Sequence, residues 1–325
     1  MTSRVFVTGA AGFIGGATVR VLRERGDEVV AIVRDPSKAS ALDAAGVHLI
    51  AGDLSSEAAI RAGMAGCAAV IHLAGSYRLG IAAADRPAMY EANVAVTERV
   101  LDAAISLGLP RIVDVSTVNV FGNTHGRIVD EKFRRDPGDG FLSYYDETKY
   151  RAYVAATTRI AAGAPIVIAM PGTTYGRGDH AALGSQLQGA YEGRARYVAL
   201  GETGISPTYV DDLARGIVAA MDRGRLGERY VLAGENMRLR DALRIVAHAA
   251  GRRPPRLSVP TGALRLAARI PPRVTRLLGM SDNLPEILNA SADVTYWASS
   301  ARAQADLGYR TRDLERGARD AFGRP

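Results

Sequence analysis

A short β-branched run, Arg4-Val5-Phe6-Val7-Thr8, ends abruptly at Gly9, and further glycines follow at 12 and 15 before a helical pattern sets in. A strand that feeds a helix through so tight a turn leaves few folds open. The helix must carry the chain back along the sheet, so the next strand lies parallel to the first. The glycines of Thr8-Gly9-Ala10-Ala11-Gly12-Phe13-Ile14-Gly15 allow the turn itself, the close approach of a pyrophosphate, and close helix–strand packing. The helix N-terminus adds amide donors and a partial positive charge, so the loop reads as a dinucleotide cradle. Its spacing is GxxGxxG, not the more familiar GxGxxG.

The same alternation continues. Strand-like runs stand at 28–33, 47–51, 68–73, 111–116 and 165–170, with helical stretches near 12–25, 37–45, 56–64, 87–107 and 144–162. Several runs are near-continuous Val, Ile and Ala, as expected when helices cover both faces of a parallel sheet. The predicted fold is α/β, a doubly wound Rossmann sheet over residues 1–172. The remainder, 173–325, reads as a smaller, mainly helical substrate lobe. A helix at 210–222 and a strand at 228–232 are expected to return the chain to the sheet near 206–232. Pro254, Pro255, Pro260, Pro271 and Pro272 interrupt the later helices.

The second strand runs to Val33 and is followed by Arg34, Asp35, Pro36, Ser37 and Lys38. An NAD-binding protein would place an acid there to accept from the ribose hydroxyls. A guanidinium instead favours a 2′-phosphate, which it pairs bidentately, and Lys38 is within reach of the same group. The expected cofactor is therefore NADP(H). Gly52-Asp53-Leu54 after the third strand would set Asp53 against the adenine, and His72-Leu73-Ala74-Gly75 ends the fourth strand with small residues where a dinucleotide would cross.

Charge invites another reading. The chain has a net charge of +7, with 13 Arg against 7 acids in residues 251–325. A nucleic-acid footprint is the sharp interpretation, but the basic residues are scattered among Pro, Leu and acids, and coding bias is the simpler one. Only Lys38, Lys132 and Lys149 are lysines, against 38 arginines. Leu264, Leu266, Ile270, Leu277 and Leu278 interleave with Arg265, Arg269, Arg273 and Arg276, which would suit a membrane surface or, broken at Pro271 and Pro272, a substrate lid of two short helices. Cys67 is the single cysteine, so neither a disulfide framework nor a Cys-based metal cage is expected. No apolar run is long enough for a membrane span. The N-terminus goes directly into a strand without room for a signal peptide, so a cytoplasmic protein is expected.

Tyr145 and Lys149 stand at i and i+4 and share a face if 144–162 is helical. A phenol titrating near ~10 needs help to exchange a proton near neutrality, and a neighbouring ammonium favours its ionised form. In a chain so rich in arginine, a lysine at this position points to a need for a compact ammonium. The fifth strand ends Val115-Ser116-Thr117, and the Thr117 hydroxyl is placed to hydrogen-bond a substrate oxygen beside the phenol.

These motifs, in this order, resemble the extended short-chain dehydrogenase/reductases of the NAD(P)-dependent epimerase/dehydratase superfamily. The matching pieces are TGAAGFIG (8–15), GDL (52–54), HLAG (72–75), NVAVTERVLDAA (93–104), VSTVNVFG (115–122), YDETK (145–149), PGTTYGRGD (171–179) and YVDDLA (209–214). RERGDEVVAIVRDP (23–36) and ERYVLAGENMRLRDAL (228–243) are most similar to the dihydroflavonol-4-reductase-like branch. The resemblance implies Tyr145 as proton donor, Lys149 as phenol tuner and ribose ligand, and Thr117 as the hydroxyl that orients the carbonyl. Pro171 and Gly172 would lie against the nicotinamide, and Asn93 would organise the helix beside the site. Val118 and Asn119 stand where sugar-nucleotide 4,6-dehydratases carry an acid pair. Arg177 replaces a usual proline, and the basic tail matches no known sugar-nucleotide site.

The expected function is NADPH-dependent reduction of a small-molecule ketone, by a homodimer with no nucleic-acid partner and no metal. A sugar-nucleotide epimerase and a non-catalytic NADP-binding sensor are the alternatives. Tyr77, Phe141, Tyr175, Tyr191 and Trp297 are candidates for either the pocket wall or the core.

Overall fold

Seven parallel strands form the central sheet of the computed structural model, which describes residues 2–179, 181–268 and 283–323. They are β1 (Arg4–Thr8), β2 (Glu28–Val33), β3 (His48–Ala51), β4 (Ala69–His72), β5 (Ile112–Val115), β6 (Ile166–Pro171) and Arg229–Leu232. In space the order is Arg229–Leu232, β6, β5, β4, β1, β2, β3. The chain builds outward from β1 through β2 to β3, then crosses back to lay β4 on the other side of β1. That reversal opens a crevice beyond the carboxyl ends of β1 and β4, the usual ligand seat of an open α/β sheet.

Side-chain alternation divides the core into two layers. Val5, Val7, Ala31, Val113 and Val167 pack with Leu213 and Ile217 on one face. Phe6, Val30, Val70, Ile112 and Ile166 pack with Ile60, Val100 and Ala156 on the other. Helix α1 (Phe13–Glu24) and the helix Val210–Arg223 share the first face; the helices Glu57–Met64, Val96–Ser106 and Tyr144–Ala161 cover the second. A separate cluster of Tyr175, Leu187, Val198, Leu239, Val246 and Leu314 holds the helices Ala182–Tyr191, Leu239–Ala249 and Leu314–Phe322 together. Among the described residues no helix is long and apolar enough to cross a membrane.

Two stretches read as single helices are divided. The 37–45 stretch becomes a 3-10 turn, Pro36–Lys38, and a short helix, Ser40–Ala44. Asp35 caps the start of the turn by accepting from the Ser37 N–H at 3.1 Å. The 87–107 stretch becomes Arg86–Tyr90, a π-helical turn Glu91–Ala95, and Val96–Ser106. Three aromatic candidates for the pocket wall belong elsewhere: Tyr175 is buried against Tyr209, Tyr191 packs on Phe322, and Trp297 lies under Arg238. Of the proposed lid, the helix Thr261–Ala267 is present, while Arg269, Ile270, Pro271, Pro272, Arg273, Arg276, Leu277 and Leu278 lie outside the described residues.

Candidate active site

The phosphate loop is a backbone construction. Gly9 adopts a left-handed φ of 70°, and a Cβ there would lie 2.8 Å from the Ala74 nitrogen. A Cβ on Gly15 would lie 2.0 Å from the Gly9 oxygen, so neither position admits another residue without displacing main chain. Gly12 heads α1 and donates its N–H to the Gly9 oxygen at 2.9 Å. No side chain caps this helix and no acid sits in its first turn, whereas Ser56, Ser143 and Asp313 cap three other helices. Its free amides and positive end are left for an anion, the donor set a pyrophosphate requires. Phe13 and Ile14 pack on Ala17, Val210 and Ala214, fixing the helix by which the loop is aimed.

His72 ties this loop to the end of β4. The Thr97 hydroxyl donates to the Asn93 carbonyl at 2.8 Å, so it accepts from His72 Nε2–H at 3.0 Å. Nδ1 then accepts from the Thr8 hydroxyl at 2.7 Å, and Thr8 Oγ1 accepts from the Leu73 and Ala74 N–H groups. Burial pulls the imidazole down to about 3, with the Lys149 charge adding to the effect, so His72 stays neutral and serves the turn Leu73-Ala74-Gly75 as a strut.

Across the crevice, β5 and the helix Tyr144–Ala161 supply side chains. Ser143 caps that helix through the Asp146 N–H at 3.1 Å, which sets Tyr145 in the first turn and Lys149 one turn later on the same face. Tyr145 is buried to 9% exposure with Ile81 and Met89 against it, and burial holds its phenol above the ordinary range. Thr117 Oγ1 donates to Asn119 Oδ1 at 3.0 Å and accepts from the Asn119 N–H at 3.2 Å, and its hydroxyl draws the phenol back down. Lys149 Nζ donates to the Val115 carbonyl at 3.2 Å. Thr117, Tyr145 and Lys149 therefore converge where β5 ends. The Asn93 side chain accepts from the Ser76 N–H at 2.6 Å and donates to the Ser76 oxygen at 3.0 Å and to Thr148 Oγ1 at 2.9 Å. The π turn swings Asn93 into that position, linking the segment after Gly75 to the helix Tyr144–Ala161.

The profile of the NAD dependent epimerase/dehydratase family matches residues 5–233, well over half of the chain. This chain belongs to the NAD-dependent epimerase/dehydratase family. It is 31% identical over 327 residues to a Synechocystis sp. protein provisionally named dihydroflavonol 4-reductase, covering 99% of this chain and 94% of that one. It is 29% identical over 324 residues to the 4-hydroxy-2-methyl-3-oxo-4-farnesyl-3,4-dihydroquinoline-1-oxide ketoreductase of Stigmatella aurantiaca, covering 98% and 95%. The solved structure of gox2253 superposes with a TM-score of 0.84 at 31% identity, covering 99% of this chain and 97% of that one.

On this family's cofactor side, β2 ends at Val33, with Arg34 exposed beyond it. Asp53 accepts from the Ser55 N–H at 2.8 Å; that bond chiefly lowers its carboxyl, and the charges of Arg34 and Arg99 add to it. Leu54 packs into the second core layer. Lys38 pairs with Asp35 at 3.5 Å and, like Arg34, is exposed. Pro171 ends β6 and Gly172 follows, where a Cβ would lie 2.6 Å from the Ser206 oxygen. With Arg20, Tyr209, Val210 and Asp211, Arg177 lines a surface pocket of about 180 Å³.

Arg135, Glu286 and Asp114 had no motif to announce them. Arg135 and Asp146 form a buried ion pair at 3.0 Å that fastens the loop before the helix Tyr144–Ala161 to its first turn. Glu286 accepts from the Tyr144 N–H at 2.7 Å and from Asn283 at 2.7 Å, tying the C-terminal segment to the same helix. Tyr77 stacks edge-on to Tyr145 with centroids 4.8 Å apart. Ser116 Oγ is buried without a partner among the described residues. Asp114 is buried within β5, and only its interruption of an apolar run marks it in the sequence.

Proposed function

We propose that the protein is an NADPH-dependent reductase of a ketone on an apolar, aromatic or steroid-like small molecule. The reading rests on one arrangement: a phenol held protonated by burial, with the Thr117 hydroxyl beside it, where the crevice meets the end of β5. Tyr145 gives its proton to the oxygen of the reduced carbonyl, and Thr117 donates a hydrogen bond to that same oxygen. The ammonium of Lys149, one turn away, stabilises the phenolate left behind. NADPH, when bound, supplies the hydride. Gly9, Gly12, Gly15 and the amides at Phe13 and Ile14 hold its pyrophosphate, with Leu73, Ala74 and Gly75 alongside. Asp53 and Leu54 flank the adenine, Arg34 takes the 2′-phosphate with Lys38 near it, and Asn93, Pro171 and Gly172 shape the nicotinamide end. Residues 1–172 with the return near 206–232 form the cofactor domain and 173–325 the substrate lobe. We further expect a cytoplasmic homodimer.

Val118 and Asn119 provide no acid after Thr117, which disfavours elimination chemistry. The test is NADPH consumption against aromatic, polyketide-like, steroid and sugar-nucleotide ketones. Turnover of an aromatic or steroid ketone supports the reading. Stoichiometric NAD retained through purification, with activity on sugar nucleotides alone, replaces it with an epimerase.

A further inference from the structure

Strand β5 carries one acid inside an otherwise apolar run, Ile112-Val113-Asp114-Val115. Asp114 is 4% exposed and sits in register between His72 of β4 and Ile168 of β6. A carboxylate in the middle of a parallel sheet is costly unless a charge compensates it. Among the described residues, the influence that favours its ionised form is Lys149, and Asp114 in turn favours the charged form of Lys149. The ammonium is held at this strand through Nζ, which donates to the carbonyl of the adjoining residue, Val115, at 3.2 Å.

We propose that Asp114 is the counter-ion of Lys149, a positioning residue that keeps the ammonium charged where β5 meets the catalytic helix. The surrounding elements leave the balance to these two groups. From β4 comes His72, neutral between the hydroxyls of Thr8 and Thr97. From β6 come apolar side chains, Ile166, Ile168 and Met170. The helix Val96–Ser106 turns its charges outward, Arg99 to Glu91 and Asp102 to Arg159. On the helix Tyr144–Ala161, Asp146 is paired with Arg135, Glu147 with Arg151 and Arg159 with Asp102, so Lys149 is the cation it brings to the site. Burial alone pulls the Lys149 amine down and would shed its proton as pH rises; the Asp114 carboxylate opposes that loss. Burial pushes the Asp114 carboxyl up to about 6, against the opposing pull of Lys149, so the counter-charge is present at neutral pH.

Lys149 is one of three lysines, so protein labelled with ¹³C at lysine Cε gives three lysine Cε signals, assigned by Lys38→Arg and Lys132→Arg. In the wild-type protein the Lys149 signal should show an inflection near pH 6 as Asp114 ionises. In Asp114→Asn its midpoint should fall by roughly one pH unit or more, with Lys38 and Lys132 unmoved. An unchanged midpoint in a folded Asp114→Asn protein would overturn the proposal. So would a wild-type Lys149 signal that stays flat over the whole acid limb in which the protein remains folded, and that arm decides the matter if the variant does not fold. Neither arm needs turnover, so failure here is distinct from failure of the reductase reading.

Discussion

The two walls of the crevice are made of different material. Beyond β1, main chain does the work: glycines at 9 and 15 pack backbone on backbone, and an uncapped helix end faces outward. Beyond β5, side chains from distant segments do it, through Asn93, Thr117, Tyr145, Lys149 and the buried pair Arg135–Asp146. A backbone site is intolerant of added atoms because nothing can rotate away. A side-chain site tolerates changes of shape, but it depends on each buried polar group keeping its partner.

That contrast predicts a graded series of effects. Gly15→Ala should be the most damaging, since its Cβ would meet the Gly9 oxygen at 2.0 Å. We expect NADPH binding to disappear in calorimetry, with a stability loss of about 1–3 kcal/mol or more in urea unfolding. Normal binding by this variant would break the distinction. Tyr145→Phe should cost about 10²–10⁴-fold in kcat while leaving the cofactor Kd within about threefold, because only the proton is removed. Equal loss of binding and rate would mean that the phenol holds the cofactor instead. Arg34→Ala should weaken NADPH by about 10–100-fold and NADH little, the share of a charged hydrogen-bonded contact. An unchanged preference ratio would remove the NADPH assignment.

The last expected effect is a pH slope and concerns His72. Its folded pKa, about 3, lies below the ordinary value of 6.5, so the unfolded chain takes up the proton first as pH falls. His72 therefore subtracts stability below pH 6.5, by about 1.4 kcal/mol per pH unit until the folded group also titrates. Urea unfolding of His72→Asn should lack that slope relative to wild type between roughly pH 4 and pH 6. Parallel curves would show that the imidazole is not held neutral.

The cofactor wall was the legible one. Glycine spacing, the strand before it and Val33-Arg34 where an acid would serve NAD are local features, and the structure sets Gly9 and Gly15 in a turn that admits no side chain. The tyrosine and lysine were legible as well, because one helical turn brings i and i+4 together without help from the rest of the chain. Their environment was not. The sequence spaces Tyr145 and Lys149, but it says nothing of Asp114 approaching from a strand 35 residues earlier, or of the Glu286 carboxylate at the Tyr144 N–H. The notional single helix over 87–107 hid the π turn that delivers Asn93, since periodicity cannot register one extra residue in a turn.

The fold class, the glycine loop after β1 and the shared face of Tyr145 and Lys149 thus follow from short-range order, where the chemistry of neighbouring residues decides the outcome. Which aromatic rings line a pocket, which charges are compensated and which wall Lys149 leans on were decided by packing between segments far apart in the chain. Burial sets the energy of every polar group there, and burial belongs to the assembled sheet and its helices.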